Sequence, residues 1–226
     1  MNLQRLKKLN EELQKFCENE EYTFADWFGQ DLTGQTYEGD IDCSGQGLGS
    51  LKGAPLKVNG DFDCGDNPLT SLKGAPQEVK GSFDCTLTEL TSLEGAPQRV
   101  GEHFECGINQ LTSLEGAPQE VGGDFMCKHN LLTSLEGAPQ EVGWFICSYN
   151  QLTSLEGAPQ KVGGWFDCSH NQLTSLKGAP QEVDGLFYCY DNKLTSLEGA
   201  PQKVGGRFNC DDYLKDEARE MGYKAN

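Results

Sequence analysis

Cysteine offers this chain its widest choice of chemistry, and nine of its ten cysteines recur at one spacing. Cys43, Cys64, Cys85, Cys106, Cys127, Cys147, Cys168, Cys189 and Cys210 lie 21 residues apart, shortened once to 20 between Cys127 and Cys147. Stacked in parallel strands, neighbours in such a row stand about 4.8 Å apart, so distance alone allows disulfides. Zinc needs thiolates or imidazoles converging at CxxC-like spacing, and no such spacing occurs. An odd row without a secretion signal is read most simply as a ladder of small buried thiols.

The histidines add little chemistry. His129 and His170 occupy one repeat position two coils apart, a separation of about 10 Å, too far to share a zinc ion. His103 stands alone at another position. No nucleophile elbow, Walker loop or H-E-x-x-H pattern is present. The expectation is therefore no catalytic residue, no metal and no cofactor. Carboxylates are plentiful, and the net charge of −17 argues against direct binding of nucleic acid or an anionic membrane, which require clustered Lys and Arg. Like-charged coils serve solubility or a basic partner more often than acid/base chemistry.

The elements that must position these residues follow from the period. The unit reads V-x-G-x-F-x-C-x-x-N-x-L-T-S-L-x-G-A-P-Q-x, and a period of this length signals a solenoid. Phe and Cys are two residues apart, so both face inward from a short strand while the residue between them faces out. The leucines of L-T-S-L, such as Leu111 and Leu114, and the valine before the next strand, such as Val121, complete a core one layer thick. Gly-Ala-Pro punctuates the return turn, with one φ-permissive and one φ-fixed residue. Asn67, Asn109, Asn130, Asn150, Asn171 and Asn192, three after Cys, are placed to satisfy backbone groups in the bend. Gln46 and Thr88 replace Asn in two coils. The charges after L-T-S-L, from Lys73 to Glu198, change sign without evident pattern and read as a solvated flank.

The segment V-G-G-D-F-M-C-K-H-N-L-L resembles the leucine-rich-repeat signature, with Val, Phe, Cys and Leu in its apolar slots. The resemblance covers about residues 38 to 213. It is closer to Phe-x-Cys, L-T-S-L-x-G-A-P repeat proteins of bacteriophages and prophages than to bacterial effector repeats, which carry Leu-Pro pairs where this chain has Gly-Ala-Pro. The fold expected is a leucine-rich-repeat-like solenoid of short parallel strands: an N-terminal helical cap over 1–38, nine strands over 39–210 and a capping helix over 211–226. Leu3, Leu6, Leu9, Leu13 and Phe16 form the apolar stripe of the first cap, with Cys17 beside it. Thr23 and Asp26 predict a capping box for a short helix ending at Gly29, burying Phe24, Trp27 and Phe28 on the first coil. Asp211 or Asp212 predicts the start of a last helix, with Leu214, Ala218 and Met221 on its apolar side. That helix is expected to cover the final strand edge.

Positions that vary between coils are free of framework duty, and they concentrate around the strand. Early coils are acidic there: Asp40, Asp42, Asp61, Asp63, Asp66, Asp84 and Glu105. Later coils are aromatic and apolar: Met126, Trp144, Ile146, Tyr149, Trp165, Leu186, Tyr188 and Tyr190. Exposed Trp, Tyr and Met typify protein-binding surfaces, although Trp144 and Trp165 could instead fold onto the glycine-rich turns. A non-catalytic protein-binding module is expected, encoded by a phage or bacterium and blocking or recruiting a host or defence protein that carries a basic patch. The alternatives are an acidic nucleic-acid mimic and a small-molecule sponge. The amphipathic opening and the phage resemblance place it in the cytoplasm, of the host if phage-encoded, without a membrane span; oligomeric state is left open.

Overall fold

The computed structural model describes residues 21–225. The stripe from Leu3 to Phe16, and Cys17 beside it, lies outside the described residues. The chain winds as a parallel β-solenoid of about eight turns. Its front sheet has nine parallel strands in sequence order, from Ile41–Asp42 to Phe208–Asn209. Register is one repeat per strand, pairing Phe62 with Phe83 and Phe125 with Phe145 across the shortened coil.

The period of two turns Phe and Cys inward. Phe62 to Phe187 along this row are fully buried, and successive rings stack at centroid distances of 5.0 to 5.7 Å through to Phe208. Burying each such side chain contributes about 1.5–3 kcal/mol. The cysteines line the wall beside this column as buried free thiols. Several donate to a carbonyl of the following coil, as Cys43 Sγ does to Asp63 O at 3.1 Å and Cys168 Sγ to Tyr188 O at 3.2 Å. Burial pushes the thiols up, to about 12 for Cys43. Thiolate chemistry is thereby suppressed along the row.

Each coil also carries a second short strand, which the sequence reading treated only as an apolar valine contact. These strands form a back sheet in two parts, Thr36–Tyr37 through Glu120–Val121 and Glu141–Val142 through Lys203–Val204. The residue before each valine alternates in charge within each part: Lys57, Glu78, Arg99, Glu120, then Glu141, Lys161, Glu182, Lys203. Glu78 lies 2.9 Å from Lys57 and 2.7 Å from Arg99, and these cations hold its carboxyl down at about 2. Alternation fails only between Glu120 and Glu141, where the ladder is interrupted. The cause is the missing residue after Gly143. In regular coils the first glycine reaches a valine carbonyl, as Gly122 N–H does to Val100 O. Gly143 N–H bonds instead to Gly123 O at 2.7 Å, the task of a second glycine elsewhere.

The flank after L-T-S-L is also more ordered than its sequence implied. Lys73 meets Glu94 at 3.7 Å and Lys177 meets Glu198 at 2.9 Å, each one repeat apart. In the bend after the front strand, the asparagines form a buried ladder. Asn130 Oδ1 accepts Leu111 N–H at 3.0 Å, while Nδ2 donates to Cys106 O and Cys127 O at 3.0 and 3.1 Å. Thr88 has only one hydroxyl hydrogen to offer, which points between Asn109 Oδ1 at 2.6 Å and Cys85 O at 3.1 Å. The return turn needs glycine: Gly137 has φ 94°, and a Cβ there would stand 2.6 Å from the Leu114 carbonyl oxygen.

At the first coil, helix Phe24–Phe28 starts with the reciprocal Thr23–Asp26 capping box and ends at Gly29 with φ 77°. Phe24 is fully buried and stacks on Phe62 at 6.1 Å, with Trp27 and Phe28 partly buried beside it. The far end departs from expectation. Asp212–Leu214 forms a 3-10 turn before helix Lys215–Glu220. Asp211 makes no side-chain cap there; its carboxylate accepts Asp191 N–H at 3.0 Å. Leu214 and Ala218 are buried, but Met221 is exposed. The last front strand is met by the extended tail, not by the helix: Phe208 N–H bonds to Lys224 O at 3.2 Å. Tyr223 continues the Phe column, stacking on Phe208 at 4.4 Å with its hydroxyl donating to Pro201 O.

Candidate functional site: the front face

Four rows of side chains emerge at or beside the front sheet: the residue before Phe, the residue between Phe and Cys, and the two after Cys. In the first row, a side chain reaches the next coil's backbone. Asp40 Oδ1 accepts Asp61 N–H at 2.9 Å, Asp61 Oδ1 accepts Ser82 N–H at 2.7 Å, and Asp124 Oδ1 accepts Trp144 N–H at 2.7 Å. His103 takes the same part through Nδ1, 3.1 Å from Asp124 N. In the second row, Asp42, Asp63 and Asp84 accept N–H bonds from Ser44, Gly65 and Thr86, each two residues on. The expectation that the acidic positions are free of framework duty is therefore corrected for Asp40, Asp42, Asp61, Asp63 and Asp84: a short carboxylate at either place supplies an acceptor to an otherwise unpaired N–H.

Asp42, Asp63, Asp84 and Glu105 nevertheless stand in register on adjacent strands. Hydrogen bonds from Ser44 hold the Asp42 carboxyl below its usual range. Burial pushes Asp63 up and outweighs the Gly65 N–H, with Asp84 and Asp42 adding to the rise. Burial likewise raises Glu105, reinforced by Asp84. Asp66 projects from the neighbouring bend, exposed, with φ 52°.

The aromatic positions of the later coils come together as one run. Trp144 and Trp165 stack at 4.4 Å with their planes 4° apart. Each also lies on the glycine of the next coil, Trp144 over Gly164 and Trp165 over Gly185. They remain 37% and 38% exposed, so the indoles pack on the turns and still present their edges outward. Trp165 meets Tyr188 edge-on at 6.2 Å, and Tyr188 meets Tyr190 at 6.3 Å. Across the face, Tyr149 is sandwiched between His129 at 4.3 Å and His170 at 4.0 Å. Met126, Ile146, Leu186, Tyr188 and Tyr190 are half-buried. Leu186 and Tyr188 also border an open cleft with Arg207 and Lys224.

Two residues of this surface escaped the sequence reading. Leu87 and Ile108 are 52% and 44% exposed, in the same row as Tyr149. The available signal was positional: each is the second residue after its cysteine, as Tyr149 is.

Among the described residues, no group of three or more His, Cys, Asp or Glu side chains is placed to hold a metal ion. No helix among them is long and apolar enough to cross a membrane. The class that the fold defines is a parallel β-solenoid whose short-repeat front sheet carries an acidic zone and an aromatic zone. No family model matches this chain, and no curated protein or solved structure matches it.

Proposed function

We propose that this chain is a non-catalytic module that binds a partner protein on its front face. The observation that carries this reading is the Trp144–Trp165 pair, stacked face to face yet more than a third exposed. Packing alone would be served by indoles folded fully onto the glycines. Rigid aromatic edges beside Ile146, Tyr149 and Tyr188 are the surface that protein interfaces select. The acidic coils before them favour a partner with a basic patch, steered by charge.

In this reading the repeats belong with leucine-rich-repeat-like solenoids of phage or bacterial origin, the helical turns at the two ends act as caps, and the partner is a host or defence protein in the cytoplasm. The resemblance of the Phe-x-Cys and L-T-S-L-x-G-A-P segments supports the origin. A nucleic-acid mimic is less favoured, because five of the seven carboxylates in the acidic zone are engaged by backbone N–H groups. The test is replacement of Trp144, Trp165 and Tyr188 by Ala. Partner capture should be lost while the melting temperature changes little. Undiminished capture would remove the proposal.

A further inference from the structure

The bend after each of the first eight front strands holds its second post-cysteine residue in the left-handed region, with φ of 52° to 63° from Gly45 to Asp191. Glycine, Asn, Asp and, among larger residues, His tolerate that conformation; a bulky or β-branched L residue does so only under strain. Gly45, Asp66, His129, His170 and Asp191 obey this preference. The remaining coils carry Leu87, Ile108 and Tyr149 instead, so that the five positions between Asp66 and Asp191 are Leu87, Ile108, His129, Tyr149 and His170. Burial does not account for the choice, since Leu87, Ile108 and Tyr149 are 44% to 52% exposed and His129 is exposed too. Neither the core nor the bend requires these side chains. Strained positions that persist against local preference mark functional surfaces.

The row forms a ridge. At the strand spacing of about 4.8 Å, its four intervals from Leu87 to His170 span about 19 Å. Asp66 and Asp191 bracket it about 29 Å apart, six intervals at the same spacing. The Asp191 carboxylate lies 3.2 Å from His170 Nδ1 with its side chain still 61% exposed. A matching partner is apolar in its middle and cationic at its ends. Side chains on one face of a strand recur every ~6.7 Å, which loses step with the ridge at once. Turns of an α-helix recur every ~5.4 Å and stay close to it.

We propose that the ridge from Leu87 to His170 docks an amphipathic α-helix of a partner protein, about five turns long, with Lys or Arg at its ends opposite Asp66 and Asp191. This rests on the protein-binding role and names for it a second row and the chemistry of its occupant.

The probe is a fluorescein-labelled synthetic peptide of 20 residues, Leu at i, i+3, i+4 and i+7 and Lys at both ends. A peptide of identical composition with the leucine stripe scrambled is the control. Binding to the full chain is followed by anisotropy, for wild type and for a Leu87→Asn/Ile108→Asn double variant. The striped peptide should bind wild type at least tenfold more tightly than the scrambled one, and the double variant should lose at least tenfold. Relief of strain at the two bends should at the same time raise the melting temperature by about 2–4 °C. Equal binding of the two peptides, no binding to wild type, or undiminished binding to the double variant overturns the proposal. So does a double variant that melts several degrees lower, because the ridge then serves the fold. The Trp144/Trp165/Tyr188 variant separates the two claims: it tests capture through the strand face with the ridge intact.

Discussion

Asp63 and Asn130 show how one kind of side-chain chemistry serves the fold at two depths. Asp63 sits in register between Asp42 and Asp84 and accepts Gly65 N–H. Its carboxyl is nevertheless raised, chiefly by burial and further by those neighbours. A carboxyl raised on folding leaves stability intact below the unfolded pKa and erodes it as pH climbs through the folded value. Asp63→Asn keeps an oxygen acceptor for Gly65 and discards the charge. The variant should melt about 1–3 °C above wild type at pH 7 and no higher at pH 3; thermal denaturation at the two pH values checks this, and a gain that persists at pH 3 would point to a cause other than charge. Asn130 is buried and its Oδ1 is the side-chain acceptor of the Leu111 N–H, while the Cys106 and Cys127 carbonyls that its Nδ2 meets also accept from Asn109 and Asn150. Truncating it strands the Leu111 N–H, at about 1–3 kcal/mol. Asn130→Ala should cost about 2 kcal/mol by urea denaturation, and a loss below about 1 kcal/mol would mean that water enters the bend.

The two sheets differ in how visible they are in the sequence. The front strand is legible because two apolar residues recur at i and i+2, Phe and Cys in eight coils and Ile41 and Cys43 in the first, while the residue between them changes from coil to coil. The back strand is two residues long with one valine, too short to carry a period. Its signal is the sign alternation from Lys57 to Glu120, which becomes meaningful only when the strands are known to be neighbours. The left-handed row was hidden for the opposite reason: Leu87 and Ile108 are residue types that local preference places elsewhere. At the C-terminus, helical spacing pointed to Met221, whereas Tyr223 and Lys224 meet the last strand. The interrupted back sheet is open to direct repair. Inserting Gly between Gly143 and Trp144 restores the 21-residue spacing and leaves Glu141 in place for its pairing with Lys161 at 3.4 Å. Two recovered backbone bonds at about 1 kcal/mol each should raise stability by about 2 kcal/mol in urea unfolding. A repaired chain no more stable than wild type would show that the gap carries no cost.

At the scale of the whole molecule, stability is a sum over neighbouring coils. The thiol wall runs through all nine front strands, and the Phe column and the Asn ladder through most of them, without reference to any one outward residue, which is why the outward rows can change from carboxylates to indoles within one chain. The acidic and aromatic zones were legible as compositional runs. Their division of labour was not, because the hydrogen bonds that tie Asp40, Asp42, Asp61, Asp63 and Asp84 to the backbone depend on the coil geometry. On the proposed reading, the aromatic zone is the principal surface for a partner. The most direct measurement is quantitative affinity capture from the producing cell with three baits: wild type, the Trp144→Ala/Trp165→Ala/Tyr188→Ala variant and a back-sheet Lys161→Ala/Lys203→Ala variant. The account predicts one protein retained by wild type and by the back-sheet variant and lost from the front-face variant, with all three baits folded. Equal retention of that protein by the front-face variant would contradict it.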